Sequence, residues 1–224
     1  SDEKRPVMVW IHGGALRYGS GDPYLPDGIL KKGHLLVTIN YRLGELGFLA
    51  HPTLNDSDEK LKTNFGLLDQ IKALEWVQQN IEKFGGDSSN VTIFGESAGG
   101  LSVAALLVSP LSKGLFQKAI VQSGGFARMR FHSEKVSEEG ISGATLGVSF
   151  GNQCGVSEGP DQLEKMRTLP VDEVIKNGIG FPSSILVDDV SMLSNIIEGF
   201  EEGINHKVPT IIGTNSDEGT ALYW

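Results

Sequence analysis

The sequence predicts an α/β fold, a mostly parallel central sheet with helices on both faces, on three observations. Short apolar runs recur along the 224 residues, amphipathic helical patterns separate them, and turn residues bracket each run. Val7-Met8-Val9-Trp10-Ile11 and Leu35-Leu36-Val37-Thr38-Ile39 are apolar without alternation, so both read as strands buried on two faces. After them Leu67, Leu68, Ile71, Leu74, Val77 and Ile81 recur at intervals of three and four, which predicts a helix ending near Gly85-Gly86. Val91-Thr92-Ile93-Phe94 is the third strand, and a second helix starts directly after Ser97 and runs through Leu101, Ala104, Ala105 and Val108 to Pro110. Ala119-Ile120-Val121 and Val208-Pro209-Thr210-Ile211-Ile212 read as further strands, with Pro209 suited to a strand's first position rather than its interior. From about 128 to 207 the pattern weakens into shorter helices, among them 161–168 and 191–203, expected to form an insertion above the sheet.

Composition narrows the classes of function. With 39% hydrophobic and 21% charged residues the chain suits a globular domain or part of one, and no apolar run approaches the ~20 residues that span a bilayer. Ser1-Asp2-Glu3-Lys4-Arg5-Pro6 is charged, so any signal peptide is expected outside this chain, and the compartment stays open between cytoplasm and secretion. A net charge of −9 argues against nucleic acid or anionic lipid as partner. Cys154 is the single cysteine, so no internal disulfide forms, and no Cys/His cluster has zinc spacing. Phosphate-binding glycine loops are also absent, so neither metal nor cofactor is expected. Asn-x-Ser/Thr triplets at Asn55 and Asn90 matter only in a secretory pathway, and no pattern speaks to oligomeric state.

Two motifs carry chemistry. Phe94-Gly95-Glu96-Ser97-Ala98-Gly99-Gly100 holds Gly-x-Ser-x-Gly between a strand and an amphipathic helix, the context of a nucleophile elbow. An abrupt strand-to-helix corner projects the Ser97 hydroxyl from the sheet edge, and side chains at 95 and 99 would strike the crossing backbone. The helix amino terminus adds N–H groups aimed at the same point. His12-Gly13-Gly14-Ala15, directly after the first strand, has the small residues of a loop that donates backbone N–H groups to an oxyanion. Gly14, Ala15 and Ala98 are the candidate donors. The Gly-Gly loop gains meaning from the elbow that follows it.

With both motifs in place the sequence resembles the type-B carboxylesterase and cholinesterase family, which includes bacterial p-nitrobenzyl-type esterases. Further matches are Asn40-Tyr41-Arg42-Leu43-Gly44, Gly47-Phe48-Leu49, Asn64-Phe65-Gly66-Leu67-Leu68-Asp69-Gln70, Phe84-Gly85-Gly86-Asp87 and Gln122-Ser123-Gly124. The resemblance implies an α/β-hydrolase fold, incomplete in this chain, with residues 1–224 a partial domain. It implies a serine hydrolase that cleaves small carboxylic esters through an acyl-enzyme, with Ser97 as nucleophile. Gly213-Thr214-Asn215-Ser216-Asp217-Glu218-Gly219 matches the family's acid segment and makes Glu218, rather than Asp217, the carboxylate that orients the histidine. Glu96 and Ser123 match family residues that line or support the site. Alternatives are a non-catalytic adhesion or binding member of the fold, and a hormone-sensitive-lipase-like esterase.

The triad order of this fold is Ser, acid, His. His12, His34, His51, His132 and His206 all precede Glu218. His12 is expected to matter through its backbone rather than its ring, and His206 is the one candidate for a rearranged triad. The simpler expectation is a piece of a longer protein, nearly inactive and poorly folded by itself. Ala15-Leu16 stands where many relatives have glycine and an aromatic residue, so the Ala15 methyl is expected to hinder bulky, especially tertiary, alcohols. The resemblance places a cholinesterase disulfide near Cys154, with Met166 where the partner would be, and puts Phe181 near acyl-pocket aromatics.

Overall fold

In the computed structural model, described for residues 4–55, 63–125, 132–137 and 140–220, five strands form one parallel sheet. β1 (Arg5–Ile11) leads through α1 (Asp27–Leu30) to β2 (Leu35–Thr38), then through α2 (Gly44–Phe48), α3 (Pro52–Asn55) and α4 (Phe65–Asn80) to β3 (Gly86–Glu96). α5 (Ala98–Val108) connects β3 to β4 (Lys118–Gln122). α6 (Gly143–Gln153), α7 (Gln162–Arg167), α8 (Val171–Asn177) and α9 (Ile196–Glu201) precede β5 (Thr210–Gly213). The strand order is β2-β1-β3-β4-β5. Of the triplet at Asn55, residues 56 and 57 lie outside the described residues. At the other one, the Asn90 carboxamide is held by the Lys118 ammonium across the β3–β4 pair.

Alternate residues of the strands go to one core. Val7, Val9, Ile11, Val91 and Ile93 are fully shielded together with Leu67, Leu74 and Val77 of α4 and Val103, Ala104 and Leu107 of α5. The Gln70 amide donates to the Ser102 hydroxyl at 3.1 Å, tying the two helices together on that face. α4 ends as the apolar periodicity predicts: a short 3-10 turn, 81–84, closes on Gly85 at φ 80°. Only a residue without a Cβ enters that left-handed cap without strain.

The opposite face is covered less. Met8, Thr92, Phe94 and Ile120 are half-buried there, and Trp10 packs on Tyr24 at 4.6 Å and Phe94 at 4.8 Å. The expectation that the strands are buried on two faces therefore holds for the α4–α5 face and not for the other. It fails most clearly at β5, an edge strand whose Ile211 and Ile212 are 65% and 55% exposed. Pro209 does precede that strand, and its carbonyl accepts from the Ala119 N–H at 3.1 Å.

Between β4 and β5 the chain builds a satellite cluster from Phe150, Val156, Met166 and Phe181, against which Cys154 packs. Phe181 is thus buried on Phe150, ring centres 5.4 Å apart. α9 belongs with the main core, because Ile196 joins it and Gly199 lies against Val108 of α5. Asn64 fastens the segment before α9 to α4. Its side chain, buried at φ 56°, exchanges hydrogen bonds with both the N–H and the carbonyl of Leu186 and donates to Asp188 and Ser191.

Candidate active site

Strand register collects the site. Ile11 pairs with Gly95, Gly95 with Val121 and Val121 with Ile212, so β1, β3, β4 and β5 end along one line. The residues that follow each strand emerge at the same carboxyl edge, where parallel α/β sheets bind ligands. They are His12 to Ala15, Ser97, Ser123, and the turn from Thr214 to Glu218. Four segments distant in sequence thus contribute to one rim.

Ser97 occupies the corner. Its backbone stands at φ 55°, ψ −119°, outside the regions an L-residue normally adopts, and its N–H donates to the Gln122 carbonyl at 2.9 Å. The residue is exposed. The flanking glycines are needed for a steric reason. A Cβ on Gly95 would stand 2.6 Å from the Ile11 carbonyl oxygen and 2.6 Å from the Gly99 backbone, and one on Gly99 only 2.0 Å from that same Ile11 oxygen. Strand and helix therefore cross at backbone contact. Ala15 (φ 56°), Leu16 (φ 60°), Ser97 (φ 55°) and Ser123 (φ 51°) are left-handed without being glycine. Strained backbone of this kind persists where packing over-determines it, typically around functional sites.

The Gly-Gly loop lies against the elbow. A Cβ on Gly13 would be 2.7 Å from the Glu96 carbonyl oxygen and 3.2 Å from Ser97 Cβ. The loop folds back on itself through bonds from the Arg17 and Tyr18 N–H groups to the Gly14 carbonyl, at 2.9 and 3.1 Å. Among the described residues none accepts from the N–H of Gly14 or Ala15. Ala98 is the first residue of α5, where an N–H has no acceptor within its own helix. Three donors are therefore available beside the Ser97 corner.

Glu218 is held by a three-donor cradle. Its Oε1 accepts from the Ser123 hydroxyl, from Thr214 Oγ1 at 2.8 Å and from the Asn215 N–H at 2.7 Å. Those bonds, the Ser123 hydroxyl first, lower the carboxyl pKa from 4.5 to about 2. Among the described residues no hydrogen bond to Oε2 is seen, although the Asn215 carboxamide also helps to lower the carboxyl pKa, so this oxygen is the one open to an N–H. Asp217 is different, since both of its oxygens are taken by Thr220. Glu96 is raised above its usual range, by partial burial first and then by the charge of Glu218, so the two carboxylates flank the same corner. Thr214 and Asn215 were not singled out in the sequence. An acid followed back by Thr and Asn within one turn is the available signal.

None of the five histidines is hydrogen-bonded to Ser97 or Glu218 among the described residues. His12 is bonded through Nδ1 to the Gly13 carbonyl, His34 to the Lys32 carbonyl, His51 to Gln162, and His132 to Asp189. His206 Nε2 lies 2.9 Å from the Ser109 carbonyl and 3.1 Å from the Ser112 hydroxyl, beyond the far end of α5. An 11-residue helix separates it from Ser97, a span of about 16 Å at 1.5 Å per residue. A triad through His206 is ruled out by that distance. Among the described residues no group of three metal-binding side chains occurs, and no helix is long and apolar enough to cross a membrane.

An elbow serine, small-residue amide donors and a cradled glutamate on the edge of a parallel sheet define an α/β-hydrolase. The chain belongs to the carboxylesterase family, whose profile matches residues 1–223. It is 41% identical to the para-nitrobenzyl esterase of Bacillus subtilis, over 97% of this chain and 45% of that protein. It is 38% identical to the fumonisin B1 esterase of Sphingopyxis macrogoltabida, over 97% of this chain and 40% of that one. A solved PNB esterase superposes with a TM-score of 0.86 at 35% identity, covering 99% of this chain and 46% of the other. The chain spans less than half the length of these relatives.

Proposed function

We propose that this chain carries the nucleophile, oxyanion donors and acid of a serine carboxylesterase. Ser97 attacks the carbonyl of a small carboxylic ester, the N–H groups of Gly14, Ala15 and Ala98 receive the oxyanion, and an acyl-enzyme forms before water releases it. Glu218 orients an imidazole through Oε2 and stabilises the imidazolium formed during attack. Glu96 and Ser123 act behind these groups: Ser123 holds the Glu218 carboxylate, and Glu96 adds negative charge beside the corner. The observation that carries the reading is the Glu218 carboxylate, ionised and triply anchored through Oε1, with no hydrogen bond to Oε2 among the described residues, on the rim that bears Ser97.

We place the imidazole outside these residues, because His34, His51, His132 and His206 are bonded elsewhere and the His12 ring is buried against Tyr41. This polypeptide by itself therefore turns over esters very slowly, since an unassisted serine hydroxyl is a poor nucleophile at neutral pH. The stretch between β4 and β5 is the part of the chain that shapes the substrate pocket.

The test is labelling with a fluorophosphonate, mapped by mass spectrometry, of the full-length gene product and of the 224-residue chain. The full-length product should label at Ser97 and lose both label and p-nitrophenyl acetate hydrolysis in Ser97→Ala. The 224-residue chain should hydrolyse the ester at no more than the background rate. A full-length product that is folded but neither labels nor hydrolyses would favour a non-catalytic binding role.

A further inference from the structure

The sequence directs attention to the backbone of His12, but the structure draws it to the ring. The imidazole is 1% exposed and stacks on Tyr41, ring centres 4.5 Å apart and planes 18° from parallel. Its Nδ1 lies 2.8 Å from the Gly13 carbonyl oxygen. A carbonyl only accepts, so Nδ1 carries a proton, and the ring's other nitrogen is Nε2. That Nε2 is buried with no partner among the described residues. An unpaired buried nitrogen opposes folding, and a phenyl ring would stack on Tyr41 without one. Packing alone therefore does not account for histidine here.

The bond made by Nδ1 does. In a trans peptide the carbonyl and the following N–H point in opposite directions. The Tyr41 hydroxyl donates to the His12 carbonyl at 2.8 Å and so fixes the first peptide plane of the loop. The phenol is kept protonated, and hence a donor, by burial, which pushes its pKa up. The His12 ring then pulls the Gly13 carbonyl to its own side and turns the Gly14 N–H to the other. A Gly-Gly peptide has little intrinsic preference for one orientation, and Gly14 at φ 107° lies where other residues rarely go. Gly19 closes the arrangement from outside, for a Cβ there would be 2.7 Å from both the Gly13 oxygen and His12 Nδ1.

We propose that the His12 imidazole and the Tyr41 hydroxyl are positioning groups that lock two successive peptides of the loop, so that the Gly14 N–H is presented to the reacting oxygen. The inference rests on the reading of Ser97 as an esterase nucleophile. It adds a side-chain layer that acts through the backbone donors and does not touch substrate.

The experiment uses the full-length gene product and the variants His12→Phe, His12→Asn and Tyr41→Phe, each titrated for active sites with a fluorophosphonate. His12→Phe keeps a stacking ring but loses the donor, and kcat for p-nitrophenyl acetate should fall on the order of tenfold or more with KM nearly unchanged. Affinity for a trifluoromethyl ketone, whose adduct carries an oxyanion, should fall in parallel with kcat/KM. Asparagine places an amide N–H near the Nδ1 position, so His12→Asn should recover most of the loss. Tyr41→Phe should lower kcat by a smaller factor. Wild-type kcat and ketone affinity in His12→Phe, or an Asn variant no better than the Phe variant, would overturn the proposal. If His12→Phe does not fold, an unchanged kcat in Tyr41→Phe overturns it instead. A wild-type protein that does not label at Ser97 refutes the esterase reading itself, whereas normal labelling with unaffected variants refutes the positioning role alone.

Discussion

Replacing Gly99 by alanine tests the backbone crossing on which the corner depends. The added methyl carbon would sit 2.0 Å from the Ile11 carbonyl oxygen and 3.0 Å from the His12 carbonyl carbon and oxygen. Real Cβ atoms essentially never come within 3.0 Å of such an atom, so α5 and the end of β1 must part by at least about 1 Å. The loop from His12 to Ala15 starts at that end of β1, and Ser97 immediately precedes α5. The movement therefore opens the gap between hydroxyl and amide donors directly. A misplacement of 1 Å is enough to cost about 10²-fold in rate, and overpacking of this kind costs about 1–3 kcal/mol of stability. Urea unfolding and kcat for p-nitrophenyl acetate, normalised to titratable sites in the full-length product, measure both effects. Gly28→Ala is the control, because a Cβ there meets nothing within 4 Å, and it should leave kcat unchanged while raising stability by no more than about 1 kcal/mol through helix propensity. A Gly99→Ala protein with wild-type kcat and wild-type stability would refute the claim that strand and helix touch at this point.

Three other outcomes follow from the same geometry. Ala15→Gly removes a methyl from an exposed left-handed position at φ 56°, so hydrolysis of tertiary-alcohol esters should rise relative to primary ones. An unchanged ratio of kcat/KM values would remove the methyl as a barrier. Glu218 has its carboxyl lowered from 4.5 to about 2 in the folded protein, so its bonds stabilise the fold fully above pH 4.5 and progressively less as pH falls towards 2. The stability difference between wild type and Glu218→Gln, measured by urea unfolding, should shrink over that window, and a difference independent of pH would contradict it. His206→Ala should lose about 1–2 kcal/mol through its bonds at the end of α5 while leaving the rate of Ser97 labelling unchanged. Abolished labelling in a folded protein would bring His206 back as a base.

The parts legible in the sequence are those in which one residue type does one thing. Leu67, Ile71, Leu74 and Val77 face the core at helical spacing, so α4 could be read to within two residues of its start, and Gly85 marked its end. The elbow was legible because glycine is required at 95 and 99 by contact with Ile11. α6 was missed because three of its five buried residues are Gly143, Gly147 and Gly151, which add no hydropathy signal to that of Ala144 and Phe150. A Cβ on Gly147 would stand 1.8 Å from the Ala50 carbonyl oxygen, so the helix packs there backbone to backbone. Its start is capped by Ser142 with Thr145 rather than the usual glutamate or glutamine. α8 was missed for the opposite reason, as it buries no residue and so has no stripe. β5 read as a buried strand from its isoleucines, yet apolarity does not say what lies over a strand.

The candidate site divides along the same line. Backbone donors announce themselves through small residues, whereas Glu218 could be named only through the family resemblance. Its cradle joins Ser123, just after β4, to Thr214 and Asn215 in the turn after β5, a meeting that spacing does not encode. The anchoring of Asn64 to Leu186, Asp188 and Ser191 was invisible for the same reason.

A structure of the full-length gene product inactivated by a fluorophosphonate measures the arrangement at its centre. The phosphorus should be bonded to Ser97 Oγ, with the phosphonyl oxygen within about 2.7–3.1 Å of the nitrogens of Gly14, Ala15 and Ala98. An adduct on another residue, or a phosphonyl oxygen turned away from those three amides, would contradict the account.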